Sequence, residues 1–158
     1  GYLDGISFIP SSSVSLASWA TENGLVGPDA APEATPREDG ISNLLKYAFG
    51  MNPNIAHSGT DRYLIPGIGT SGLPNIRIEN IDDNRRLRIE FVRRKDNSRL
   101  RYAVQFSNSL DPTAWQESTA IPAVTPITQE WERVVVQDVV TLPEARRRFV
   151  RIEVTESH

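Results

Sequence analysis

Leu100-Arg101-Tyr102-Ala103-Val104-Gln105-Phe106 places an apolar side chain at every second position. That is the period of a strand with one dry and one wet face. Outward from it the same period recurs in Ile76-Arg77-Ile78, Leu87-Arg88-Ile89-Glu90-Phe91, Trp131-Glu132-Arg133-Val134-Val135-Val136 and Phe149-Val150-Arg151-Ile152-Glu153-Val154. Asp82-Asp83-Asn84 and Lys95-Asp96-Asn97-Ser98 are suited to the turns between neighbouring strands.

Short strands at this spacing predict a mainly β chain, an antiparallel β-sandwich of immunoglobulin/fibronectin-like type over residues 62–158. Upstream the period becomes helical. Ser11 to Ser13 offer an N-cap, and Val14 to Asn23 form a predicted helix with Leu16, Trp19 and Ala20 on one face and a stop at Asn23-Gly24. Gly27, Pro28, Pro32 and Pro36 mark residues 26–38 as loop. Ile41, Leu44, Leu45, Ala48 and Phe49 then follow the spacing of a buried helical stripe, closed by Gly50 and Pro53. The two short helices are expected to meet through Trp19, Leu44 and Phe49 and to occupy a helical segment over 11–61. Residues 1–10 read as a strand stopped by Pro10, whose apolar Tyr2, Leu3, Ile6, Phe8 and Ile9 need a partner.

The stretch from Thr35 to Pro53 also has the outline of a calcium loop feeding a helix. With Gly40 at the sixth position, Thr35, Arg37, Asp39, Asn43 and Lys46 fall at positions 1, 3, 5, 9 and 12. Arg37 and Lys46 put positive charge where carboxylates belong. The loop is therefore expected to be vestigial and metal-free, with Arg37 and Lys46 pairing to Glu38, Asp39 or a backbone carbonyl.

This segment resembles the Asp-rich "DGxxNLxEY..G.xP" elements of thrombospondin type 3 and dockerin-like repeats. Tyr102 to Trp115, YAVQFSNSLDPTAW, is similar to the "YxVExSxDLxxW" signature of the β modules that follow such elements. The opening residues look like the last strand of a jelly-roll domain in related proteins. The resemblance is to the C-terminal region of large secreted proteins of Verrucomicrobia-type bacteria. It implies an extracellular or cell-surface location and a non-catalytic module, with Trp115 closing the sandwich.

Composition agrees with a folded domain and narrows its chemistry. The chain has 158 residues, 39% of them hydrophobic, and no Cys, which excludes disulfides and thiolate chemistry. No run approaches the roughly 18 residues of a membrane span. Gly1 is read as a processed or engineered start. The net charge of −3 divides into −5 over residues 1–61 and +2 over the remainder. Two histidines, His57 and His158, are too few for a histidine-based metal centre or a Ser-His-Asp triad. Gly67 to Gly72 is glycine-rich without the Lys-Ser/Thr ending of a phosphate cradle, and is expected to be a flexible loop. No cofactor is called for, and the acidic balance with no nucleic-acid motif argues against nucleic acid.

Two functions remain open. The chain is a structural subunit that self-assembles head to tail through its N-terminal strand, or it is a glycan-binding or attachment module of a larger secreted protein. In the first, Tyr2, Leu3, Ile6, Phe8 and Ile9 form the interface with a neighbouring copy or parent domain. In the second, Trp131, expected at the surface, would contact a polysaccharide together with Arg93 and Arg94.

Overall fold

Asp82 and Asp83 both have positive φ, 51° and 65°. That conformation matches the twist of flanking antiparallel strands, so a tight hairpin forms where the sequence changes direction. The computed structural model describes residues 14–142 and 147–157. In these, α1 (Leu16–Glu22) and α2 (Asn43–Ala48) precede β1 (Asn75–Ile81), β2 (Asn84–Arg94), β3 (Leu100–Ser107) and β4 (Gln116–Glu117). Then come β5 (Ala123–Pro126), β6 (Trp131–Gln137) and β7 (Phe149–Glu156). The chain is thus mainly β, with two short helices. Among the described residues no helix is long and apolar enough to cross a membrane.

The strands form two antiparallel sheets, ordered β1-β2-β6-β5 and β4-β3-β7. Paired residues share a face of their sheet, so register identifies the inner side. Ile89 pairs with Val136 and Phe91 with Val134 in the first sheet. Tyr102 pairs with Val154, Val104 with Ile152 and Phe106 with Val150 in the second. These side chains meet in one apolar cluster, which gives a sandwich-like arrangement.

The helical segment is not separate from this core. Ile41, Ala48, Phe49 and Met51 belong to the same cluster as the strands. Phe49 packs edge-on against Phe91 and Tyr102, with ring centroids 6.4 and 5.8 Å away. Its expected meeting with Trp19 does not occur. Tyr47 takes that role, 5.6 Å from Trp19 in a smaller cluster with Leu16, Ala20 and Leu25. The stripe read from the sequence placed Phe49 correctly on a buried face but against the wrong neighbour, because α2 is buried on more than one side. Ser15 caps α1, its hydroxyl accepting from the Ser18 amide, where Ser11 to Ser13 had been expected to do so. Those serines and the strand expected over residues 1–10 lie outside the described residues.

Candidate functional site

Ile76 faces Ile89, and Ile78 faces Leu87, across the β1–β2 ladder. Ile89 and Leu87 are core residues, so Ile76 and Ile78 must also point to the inner side of their sheet. Yet they are 48% and 51% exposed. Among the described residues the second sheet ends at β7, and the inner side of β1 opens onto a groove there. This groove, of about 280 Å³, has Leu45, Phe49, Leu73, Ile76, Val150 and Ile152 among its walls. It continues into a hollow of about 540 Å³ that includes Tyr63, Ile65 and Pro66. Val150 and Ile152 face inward but are only partly buried. Among the described residues, β7 has β3 on one side and no strand on the other. An apolar trough flanked by a free strand edge can accept an extended segment, by backbone hydrogen bonds and alternate side chains together.

The floor of this trough is α2, and a buried ion pair holds α2 in place. The Lys46 ammonium, fully buried, lies 2.8 Å from Asp39 Oδ2 and donates to the Ile55 carbonyl at 3.2 Å. Asp39 Oδ1 accepts from the Ile41 amide and Oδ2 from the His57 amide. Burial pushes the Asp39 carboxyl up, but the His57 amide, the Lys46 ammonium and the Ile41 amide outweigh it and bring the pKa to about 2. Asn43, also buried, donates both amide hydrogens, to the Asp29 and Ala31 carbonyls. Arg37 turns outward to Asn54 at 3.3 Å, and Thr35 contributes its carbonyl to a turn closed by the Glu38 amide. Of the five loop residues, then, Asp39 and Lys46 converge, and Thr35, Arg37 and Asn43 serve separate turns.

A pH dependence follows. The Asp39 pKa is depressed from 3.8 unfolded to about 2 folded, so its contribution is complete above the unfolded value and is lost as pH falls through the folded one. It amounts to about 2 kcal/mol. Asp39→Asn should therefore flatten the loss of stability between about pH 4 and pH 2 seen for the parent chain in urea titrations.

The residues expected to contact a glycan are occupied within the fold. Trp131 is partly buried against the main core, with the Arg94 guanidinium 4.6 Å from its ring. Arg94 also sits 4.2 Å over the Tyr47 ring, donates to the Tyr47 carbonyl at 2.7 Å and pairs with Asp96 at 3.0 Å. Arg93 pairs with Glu132 across β2 and β6 at 2.6 Å. Trp115, expected to close the sandwich, belongs to neither apolar cluster and lies 4.4 Å from the exposed Arg151 guanidinium. Both tryptophans are thus half-buried, Trp131 against the main core and Trp115 apart from it. Trp131 starts a central strand and lies against Gly50 and Arg94, which no local pattern could show.

The glycine-rich loop is pinned instead of free. Its Gly67 amide donates to Glu90 Oε2 at 2.6 Å, and its Gly69 carbonyl accepts from Arg133 at 2.7 Å. Among the described residues no group of three or more His, Cys, Asp or Glu side chains is arranged to hold a metal ion. The residues missed by sequence reasoning are Ile76, Ile78, Val150 and Ile152 as an open surface. Their alternation matches that of any half-buried strand, and only the lateral placement of the sheets exposes them. Comparison with known protein families, with curated proteins and with solved structures finds no match to this chain.

Proposed function

We propose that this chain is a non-catalytic, extracellular structural subunit that self-assembles head to tail, the N-terminal segment of one copy filling the open flank of the next. The observation that carries the reading is the half-exposed pair Ile76 and Ile78 on the inner face of a sheet, beside an edge of β7 that has no strand neighbour among the described residues. The strand order supports it. β1-β2-β6-β5 corresponds to the A-B-E-D sheet of an immunoglobulin-like domain, and β4-β3-β7 to C′-C-F. On that correspondence the position next to β7 belongs to an eighth, G-type strand.

Residues 1–10 have the chemistry to fill it. Tyr2, Ile6 and Phe8 share one face of an extended segment, and Leu3 and Ile9 the other. The acidic first part and basic remainder of the chain favour contact between unlike ends of two copies. A donor from one copy to the next is a heterologous contact, which propagates as a filament where it does not close into a ring.

The test is light scattering and negative-stain microscopy of the full chain, of the chain lacking residues 1–10, and of Ile76→Lys/Ile78→Lys. The two isoleucines are already half exposed, so the double substitution should leave the fold intact while placing charge in the trough. Filaments or large oligomers are expected for the full chain, and monomers for both variants. A full chain that stays monomeric, or variants that assemble as the parent does, would end this reading.

A further inference from the structure

We infer that Lys46 is a built-in counter-ion: its ammonium holds the cation position of the Thr35–Lys46 loop, and the floor of the open flank is thereby formed without a metal. The last clause rests on the assembly reading above; the assignment of Lys46 does not.

The geometry supports the assignment from several sides. A hard cation in a loop of this kind needs a fixed carboxylate and backbone carbonyls. The Lys46 Nζ meets one of each, Asp39 Oδ2 at 2.8 Å within the loop and, from beyond the loop, the Ile55 carbonyl at 3.2 Å. The carboxylate is held in place by the amides of Ile41 and His57 on either side of the pair. The loop reaches this shape through Glu38 and Gly40, both at positive φ, 54° and 75°. Glycine takes such a conformation freely and glutamate does so under strain.

Charge then excludes a competing ion. Asp39 and Lys46 are neutral as a pair and both are buried. A divalent cation takes six to eight oxygens, and it would have to enter beside a buried ammonium with one carboxylate to receive it. The other ligand positions of the loop, Thr35, Arg37 and Asn43, bring no second carboxylate. Arg37 pairs outward with Asn54, and Asn43, anchored through its amide hydrogens to the Asp29 and Ala31 carbonyls, adds only a neutral oxygen, its buried Oδ1, which has no hydrogen-bond partner.

The consequence lies on α2. Lys46 is in its last turn, and its neighbours Leu45 and Phe49 line the open groove. A tethered cation cannot be diluted away or chelated. The groove is therefore constitutively formed, where an ion-dependent loop would make it conditional.

Full-length chains should be melted in calcium at about 1 mM, the weak end of extracellular affinities, and in chelator. The parent Tm is expected to be the same in both. Lys46→Met should lower it by roughly 10 °C, because the Asp39 carboxylate is left buried and unpaired. Asp39→Asn/Lys46→Met should recover part of that loss, since the two residues act as one unit. A parent Tm raised by calcium, a Lys46→Met chain melting like the parent, or additive single effects would each overturn the assignment. These melts report on the loop whether or not the chains associate. Failure of the assembly reading would appear separately, as a monomeric full chain with the same calcium-indifferent Tm. Where filaments form, they should persist in chelator; filaments that dissolve there overturn the metal-free groove.

Discussion

Glu90→Gln is expected to destabilise the chain by about 3 kcal/mol, measured by urea unfolding at neutral pH. Glu90 lies between the core residues Ile89 and Phe91 and so points to the other face of its sheet, yet it is almost fully buried. It is buried because the segment through Gly67 and Gly69 folds over that face. Its Oε1 accepts from Arg88 at 3.0 Å, and its Oε2 from Arg133 at 2.9 Å and from the Gly67 amide at 2.6 Å. Burial pushes its carboxyl up, and the Gly67 amide with Arg133 and Arg88 outweighs this, so the group stays ionised below the usual range. Glutamine keeps the shape but carries no charge and can accept through one oxygen. The loss should fall at the low end for a broken buried pair, because both arginines reach other oxygens. Arg133 also donates to the Gly69 carbonyl, and Arg88 lies 3.6 Å from Glu79. The glycine loop should loosen in consequence, with faster amide exchange at Gly67 than in the parent.

The second large effect is expected at Phe49. Phe49→Ala should cost about 3–5 kcal/mol, as deletion of a fully buried aromatic does. Its ring contacts Phe91 of β2 and Tyr102 of β3, so it joins the segment after the calcium-like loop to both sheets. Tyr102 in turn donates to the Ala48 carbonyl at 2.5 Å and accepts from the Arg94 amide at 3.1 Å. Burial pushes its hydroxyl pKa well up, so this link persists through alkaline conditions that ionise exposed tyrosines. Parent and variant should both unfold in a single transition, with helix and strand signals in far-ultraviolet circular dichroism coinciding with tryptophan fluorescence. Two separate transitions would mean that residues 11–61 fold independently of 62–158, contrary to the shared core.

Much of this molecule could be read along the chain, since the deciding quantity was local. Alternation marked β1, β2, β3, β6 and β7, and the Asp82-Asp83 turn marked the hairpin that joins β1 to β2. The 3.6-residue period marked α1 and α2 within two residues at each end. The short strands β4 and β5 carry little alternation and went unread. At the loop, position and charge sufficed to expect Lys46 to pair with Asp39, and the two do meet at 2.8 Å. Arg37, equally charged, was assigned the same role and instead faces solvent, and nothing in its spacing separates it from Lys46.

By itself the sequence determined the β class, the order of its principal strands and the apolar character of residues 1–10. Each follows from the periodicity, turn chemistry and charge of neighbouring residues. Tertiary structure alone decided that Tyr47 faces Trp19, that Trp131 packs on the main core and Trp115 does not, and that Ile76 and Ile78 on the inner face of β1 are half exposed. Those outcomes depend on which strand lies beside which and how far one sheet extends over the other. Such lateral packing leaves no mark on the alternation of a single strand.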